Sequence, residues 1–333
     1  MLTYIVTFKC NARCIMCDSW KKTDHNDLSF DEILAIFKQM PRLDVVRLTG
    51  GEPFVRKDFP EIVDAARKIL KPKLIHVTSN GFMNNNIVEF CENRNKTTPL
   101  FLLFSVDGMK DKHNHIRGTD IAWDRVTDCI KRLAPRRKAL NVRIAVNQTI
   151  VDGEGISQYE MLNGYLRQFD INNNLVMAYD ASATYDSGTS EKNIAPAQIG
   201  EFFTYGDFSK SEIENLFKKA ERNLKTYPFI EQILKRYYFK GIKNRLLSGK
   251  PVPNPTCVAL NAHMRLYPDG RVPVCQFHSA SIGNLRTDSF HDVWYGRKAS
   301  AFREWVSKCP GCWAECEILP NAVYSGDIFR HIV

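Results

Sequence analysis

Between residues 2 and 178, short apolar runs alternate six times with polar or amphipathic stretches. Runs at 2–8, 45–48, 74–78, 100–105, 142–150 and 175–178 have strand length. Stretches at 59–70, 84–93, 121–133 and 157–169 carry apolar residues at helical spacing. Ser29-Phe30-Asp31-Glu32 is a capping box, and Ile33, Ile36 and Phe37 continue its helix. Strand–helix alternation of this kind demands a parallel sheet with crossover helices, an α/β fold. Leu100 to Phe104 is apolar without interruption, as a strand covered by helices should be.

In such folds ligands sit beyond the carboxyl ends of the strands. Those positions are the polar ones here. Cys10, Cys14 and Cys17 follow the first strand, and Thr49-Gly50-Gly51-Glu52-Pro53 the second. Ser79-Asn80-Gly81 follows the third; Ser105-Val106-Asp107-Gly108 and His113 to Gly118 follow the fourth.

The alternation stops near residue 180. A polar stretch at 181–193 reads as a linker, and helical patterns follow, with Tyr227, Phe229, Ile230, Ile233, Leu234, Tyr237 and Tyr238 among basic residues. Residues 209–250 hold eleven lysines and arginines against four glutamates, a net of +7 in a chain of net charge +9. Such a segment attracts anions, or it covers apolar surface with long basic side chains. Pro251 to Pro255 marks a boundary, and Pro268-Asp269-Gly270 between two short apolar runs signals a hairpin. A helix is expected over 288–306. The implied division is 1–180, 181–250 and 251–333.

No apolar run approaches the roughly 18 residues of a membrane span, and the first residues make no signal peptide. A cytoplasmic protein is expected. There, clustered cysteines bind metal or do chemistry more often than they pair. Eight of the ten cysteines cluster: Cys10, Cys14 and Cys17, then Cys257, Cys275, Cys309, Cys312 and Cys316. Cys91 and Cys129 stand alone in helical stretches and are expected to be buried.

Three thiols on one loop are one too few for an ordinary structural zinc site. A four-iron cubane held by three cysteines keeps one iron without a protein ligand, open to a small molecule. The Cys-x3-Cys-x2-Cys loop after the first strand, with Gly-Gly-Glu-Pro after the second, resembles the radical S-adenosylmethionine (radical SAM) superfamily. The resemblance implies a partial (β/α)6 TIM-like barrel core over 1–180. It implies a catalytic [4Fe-4S] cluster on Cys10, Cys14 and Cys17 whose free iron binds SAM. Gly50 and Gly51 would let backbone approach the methionyl group, and Glu52 would accept from its ammonium. Ser79, Asn80, Ser105 and Asp107 lie where the family binds ribose and carboxylate, and Arg117 could pair with that carboxylate. A one-electron reductant such as flavodoxin or ferredoxin is implied as partner.

Cys257, Cys275, Cys309, Cys312 and Cys316 resemble the SPASM or twitch extension of that superfamily. Its full pattern has seven cysteines; five fill one auxiliary [4Fe-4S] cluster and leave one over. Which one is spare stays open, and a zinc ribbon uses similar spacings. Cys316, if not a ligand, could be a hydrogen donor to a substrate radical, as epimerases of the superfamily need. A dehydrogenase would instead need an electron acceptor, which the auxiliary cluster could be.

The expected activity is hydrogen abstraction from an anionic small molecule, carbohydrate or nucleotide-linked, ending in epimerisation or dehydrogenation. Lys218, Lys219, Lys235, Arg236, Lys240 and Lys243 are the cations expected to steer it. Peptide maturation is the alternative, disfavoured because the sequence starts at the first strand. A metal-binding nucleic-acid module is the third.

Overall fold

The computed structural model describes residues 1–23, 26–180, 182–185 and 190–331. Six parallel strands form in the expected order: β1 (Leu2–Ile5), β2 (Val45–Thr49), β3 (Leu74–Ser79), β4 (Leu100–Ser105), β5 (Val142–Ile150) and β6 (Asn172–Met177). The crossovers carry α1 (Phe30–Gln39), α2 (Phe59–Ala65), α3 (Asn84–Asn93), α4 (Lys110–Arg117), α5 (Ala122–Leu133) and α6 (Gly153–Arg167). Ser29 and Glu32 cap α1 reciprocally, as the sequence requires. The architecture is α/β, a partial barrel.

Alternation within the strands sorts the two faces. Leu2, Tyr4, Val46, Leu48, Ile75, Val77, Leu100 and Leu102 are buried in the main core, under the helices. Each such side chain stabilises the fold by about 1.5–3 kcal/mol. The intervening residues, Thr3, Arg47, His76 and Phe101, point to the concave face.

Two helices fill the segment after β6: α7 (Lys210–Asn223) and α8 (Phe229–Ser248). They bury Leu216, Phe217, Tyr238, Phe239 and Ile242 in a second core with β6 and Trp313. A Cβ on Gly241 would lie 1.9 Å from the Trp313 ring, so only glycine lets α8 close on the indole. The stretch read as a linker is described at 182–185 and 190–193.

The C-terminal part departs from expectation in two places. The predicted hairpin closes only next to its turn, where Gly270 N–H donates to the Tyr267 carbonyl and Tyr267 N–H to the Arg271 carbonyl. Its arms diverge. The first, β7 (Met264–Leu266), lies parallel beside β1, giving the sheet order β6-β5-β4-β3-β2-β1-β7. The second, β8 (Arg271–Pro273), pairs antiparallel with β9 (Ser281–Asn284). Open hydrogen-bonding groups on the β1 edge outcompeted the local partner, since an unpaired edge strand is a template for pairing. The helix predicted over 288–306 is two, α9 (Phe290–Tyr295) and α10 (Arg297–Lys308), parted at Gly296, which is extended. A final helix, α11 (Glu315–Tyr324), packs on α8. No helix among the described residues is long and apolar enough to cross a membrane.

Candidate active site

The loop after β1 carries Cys10, Cys14 and Cys17 together against Ala12, Phe82 and Ala122. Two neighbouring loops reach its sulfurs. Ala12 N–H donates to Cys10 Sγ at 3.4 Å, and Asn80 Nδ2 stands 3.9 Å from it. Arg117 Nη1 lies 3.4 Å from Cys14 Sγ. Donors aimed at sulfur favour the thiolate, which is the form that binds iron. Burial first, and nearby negative charge after it, pushes the free thiols up, Cys10 to about 12 and Cys17 to about 11. The donor set therefore fits an iron–sulfur cluster, provided iron displaces the protons.

Glu52 is fully buried. Oε1 accepts from Phe54 N–H at 3.1 Å and Ser79 Oγ at 2.9 Å; Oε2 accepts from Asn80 N–H at 2.7 Å. Burial raises its carboxyl to about 7 against those three bonds. The carboxylate thus clamps the loops after β2 and β3 together. The glycines answer to the same packing. A Cβ on Gly51 would meet the Lys9 carbonyl at 2.3 Å, and one on Gly50 the Thr7 carbonyl at 2.3 Å.

Asp107 and Arg117 are both buried and paired through two bonds, 2.6 and 3.0 Å. Burial pushes the Asp107 carboxyl up, but Arg117 and then His113 outweigh it and hold it low. Arg117, expected to meet a ligand carboxylate, gives Nε and Nη2 to Asp107. Asn80 Nδ2 bonds Asn11 Oδ1 at 2.7 Å, and Ser105 ends β4 half-buried.

In the C-terminal part, Cys257 lies within electrostatic reach of Cys275, Cys309 and Cys312. A left-handed Gly311 turns the chain between the last two. Cys316 has other surroundings. It sits on α11, its thiol donates to Gln276 Oε1 at 2.8 Å, and its carbonyl accepts from Arg47 Nη1 at 3.1 Å. Glu317, Arg265, Arg47 and Glu315 are the charges around it, and burial raises its thiol to about 11.

The matching family models decide the class. The one described as radical SAM superfamily covers residues 4–162, and an iron–sulfur cluster-binding SPASM domain covers 257–316. The chain belongs to the radical SAM superfamily. It is a radical SAM enzyme with a catalytic [4Fe-4S] cluster, SAM and an auxiliary iron–sulfur cluster, which replaces the zinc-ribbon alternative. The GTP 3',8-cyclase of Clostridium perfringens (strain SM101 / Type A) is 27% identical over 297 residues, 84% of this chain and 81% of that protein. The fold resembles anSMEcpe with bound AdoMet and a peptide: TM-score 0.57, 16% identity, 90% of this chain and 81% of that one. It also resembles Streptococcus suis SuiB: TM-score 0.59, 15% identity, 91% and 67%.

Sequence reasoning missed the concave face. Arg47, His76, Arg265 and Glu317 meet there, with Arg265 and His263 both paired to Glu317. The signal was present: Arg47 and His76 are polar residues at alternate positions of otherwise apolar strands. Of the six cations expected to steer a substrate, three are paired within the chain. Lys235 is buried in an ion pair with Glu315, Lys219 pairs with Glu160 at 3.1 Å, and Lys243 with Glu221 at 2.8 Å. Arg245 is buried 3.9 Å over the Trp313 ring. These cations are spent within the protein, holding helices together.

Proposed function

We propose that this radical SAM enzyme removes a hydrogen atom from an anionic, nucleotide-linked or carbohydrate substrate held on the concave face. Cys316 then returns one to the opposite side, giving epimerisation. Cys10, Cys14 and Cys17 would hold the catalytic cluster, and Cys257, Cys275, Cys309 and Cys312 the auxiliary one. When bound, the cluster and SAM supply the one-electron chemistry that removes the hydrogen atom. The backbone of 50–52, with Ser79, Asn80 and Ser105, would line the SAM site. Glu52 and Asp107 position that lining, and Arg117 would reach a SAM carboxylate by sharing its fork with Asp107.

The observation that carries the reading is the separate placement of Cys316. Its thiol points to a neutral amide oxygen and is protonated at neutral pH. In the transfer the S–H bond breaks and a C–H bond forms at the substrate carbon. The sulfur radical left behind takes one electron from the external reductant and one proton from solvent.

Support for an anionic substrate comes from unpaired donors. Arg47 Nε, Arg265 Nε and His76 Nδ1 are buried without a partner. Buried polar atoms are otherwise paired nine times in ten or more, so a cluster of them marks where a ligand or water bonds. Arg47 has no carboxylate partner among the described residues, and a guanidinium takes phosphate or carboxylate in two parallel bonds. A relative that carries the name GTP 3',8-cyclase supports a nucleotide.

The test is Cys316→Ser, anaerobically reconstituted, with nucleotide and nucleotide-sugar candidates in deuterated water. The wild-type product should carry one solvent deuterium. The variant should keep its iron and cleave SAM without releasing epimerised product. Loss of auxiliary iron in the variant would instead make Cys316 a ligand and sink the proposal.

A further inference from the structure

The catalytic loop has an outer side as well as a site side. Ile15 is 44% exposed, although it lies between Cys14 and Cys17. Trp20 is 37% exposed, and its indole N–H donates to the Cys14 carbonyl at 3.3 Å. Tyr205, 42% exposed, arrives from the segment after β6, and its hydroxyl donates to the Ile15 carbonyl at 3.2 Å. Phe203, two residues earlier, is 64% exposed. Lys21 lies 5.5 Å from the Trp20 ring centre and within electrostatic reach of Tyr205 and Cys17. Three large side chains, Ile15, Trp20 and Tyr205, thus meet the solvent around one short loop, and Phe203 is exposed on the segment that delivers Tyr205. Scattered exposed apolar residues are normal, but a contiguous set with a charged rim marks an interaction site.

The rim is basic. Lys9, Arg13 and Lys21 are exposed on this loop, with Lys22 beside them. The one carboxylate between Lys9 and Lys22 is Asp18, which pairs with Lys21 at 2.7 Å, and the stretch keeps a net charge of +3.

We infer that this face is the docking surface for an acidic one-electron carrier protein, a flavin or iron–sulfur carrier, that reduces the catalytic cluster. The inference rests on the ligand assignment proposed above. Small apolar contacts ringed by complementary charge suit weak redox encounters, which bury less than about 1,200 Å². Basic residues steer an acidic partner, and the effect is screened by salt. Trp20 places the covered surface one hydrogen bond from the backbone of a proposed ligand.

The experiment compares two reductants on the reconstituted holoenzyme. Reduction of the catalytic cluster is followed by absorbance, with dithionite and with an acidic flavodoxin hydroquinone, across a salt series. Lys21→Glu and, separately, Phe203→Ser are the variants. Each should slow reduction by flavodoxin about tenfold or more and leave reduction by dithionite unchanged. Lys21→Glu should also flatten the salt dependence. Unchanged flavodoxin rates in both variants overturn the inference. So do equal losses with both reductants, since the patch would then be packing for the loop. Failure of wild-type enzyme to be reduced by dithionite would instead strike the cluster assignment itself.

Discussion

Arg117 gives two of its guanidinium nitrogens to Asp107 and turns the third, Nη1, to Cys14 Sγ. All three residues are buried. The pair thus sets the conformation of an arginine that touches a sulfur of the loop after β1.

A buried ion pair is costly to break from one side. Arg117→Ala strands the Asp107 charge and should cost about 3–5 kcal/mol of unfolding free energy in the iron-free protein. Arg117→Met combined with Asp107→Leu should recover much of that stability. Denaturant titration of the two variants checks both statements; equal losses would mean that the pair is not the cause.

The cysteines should divide by iron content. Two four-iron clusters give about eight irons per chain. Alanine at Cys10, Cys14 or Cys17, or at Cys257, Cys275, Cys309 or Cys312, should leave about four. Alanine at Cys316 should leave about eight. Iron and sulfide assays on anaerobically reconstituted variants read the result directly.

Glu52 should imprint a pH dependence on the iron-free protein. Its folded carboxyl is raised, to about 7, above the ordinary value of about 4.3. Its contribution is therefore fully present below about pH 4.3 and is lost as pH rises through about 7. The loss is on the order of 3 kcal/mol at most. Glu52→Gln should flatten that slope, while setting an amide N–H against that of Asn80. Unfolding midpoints measured between pH 5 and 8 in both proteins test this, and parallel curves would remove Glu52 as the source.

The basic helices should respond unevenly to loss of charge. Lys235 is buried against Glu315, so Lys235→Ala should cost roughly 3 kcal/mol or more. Arg236 and Lys240 are exposed, and alanine at either should stay within about 0.5 kcal/mol. Comparable losses at all three positions would restore the segment to a single functional unit.

Much of the fold was legible because two independent patterns agreed. Strand-length apolar runs located β1 to β6, and the polar residues after them located the loops that meet at Cys10, Glu52, Asn80 and Arg117. What those side chains touch was not legible. Glu52 and Arg117 are the residue types that grip a ligand, and equally the types that hold loops together. Only the distances to Asn80 and Asp107 show the second use. β7 was misread for a related reason: a turn sequence fixes where the chain reverses, not which strand receives the arm that follows. Charge counting along α7 and α8 ignores helical phase, which brings Lys235 to Glu315 and Arg245 to Trp313 while leaving Arg236 and Lys240 exposed.

The place of β7 beside β1 has a consequence for how the chain matures. Leu2, Thr3 and Tyr4 find their second neighbours in Met264, Arg265 and Leu266. At about 5–20 residues per second on the ribosome, β1 waits roughly 13–52 s for that partner to be made. Throughout that interval one edge of the sheet stays open beside the three thiols of the first loop. An open edge strand is a template for pairing, so the nascent chain is most exposed to a neighbour until the last quarter of the protein has closed the seam.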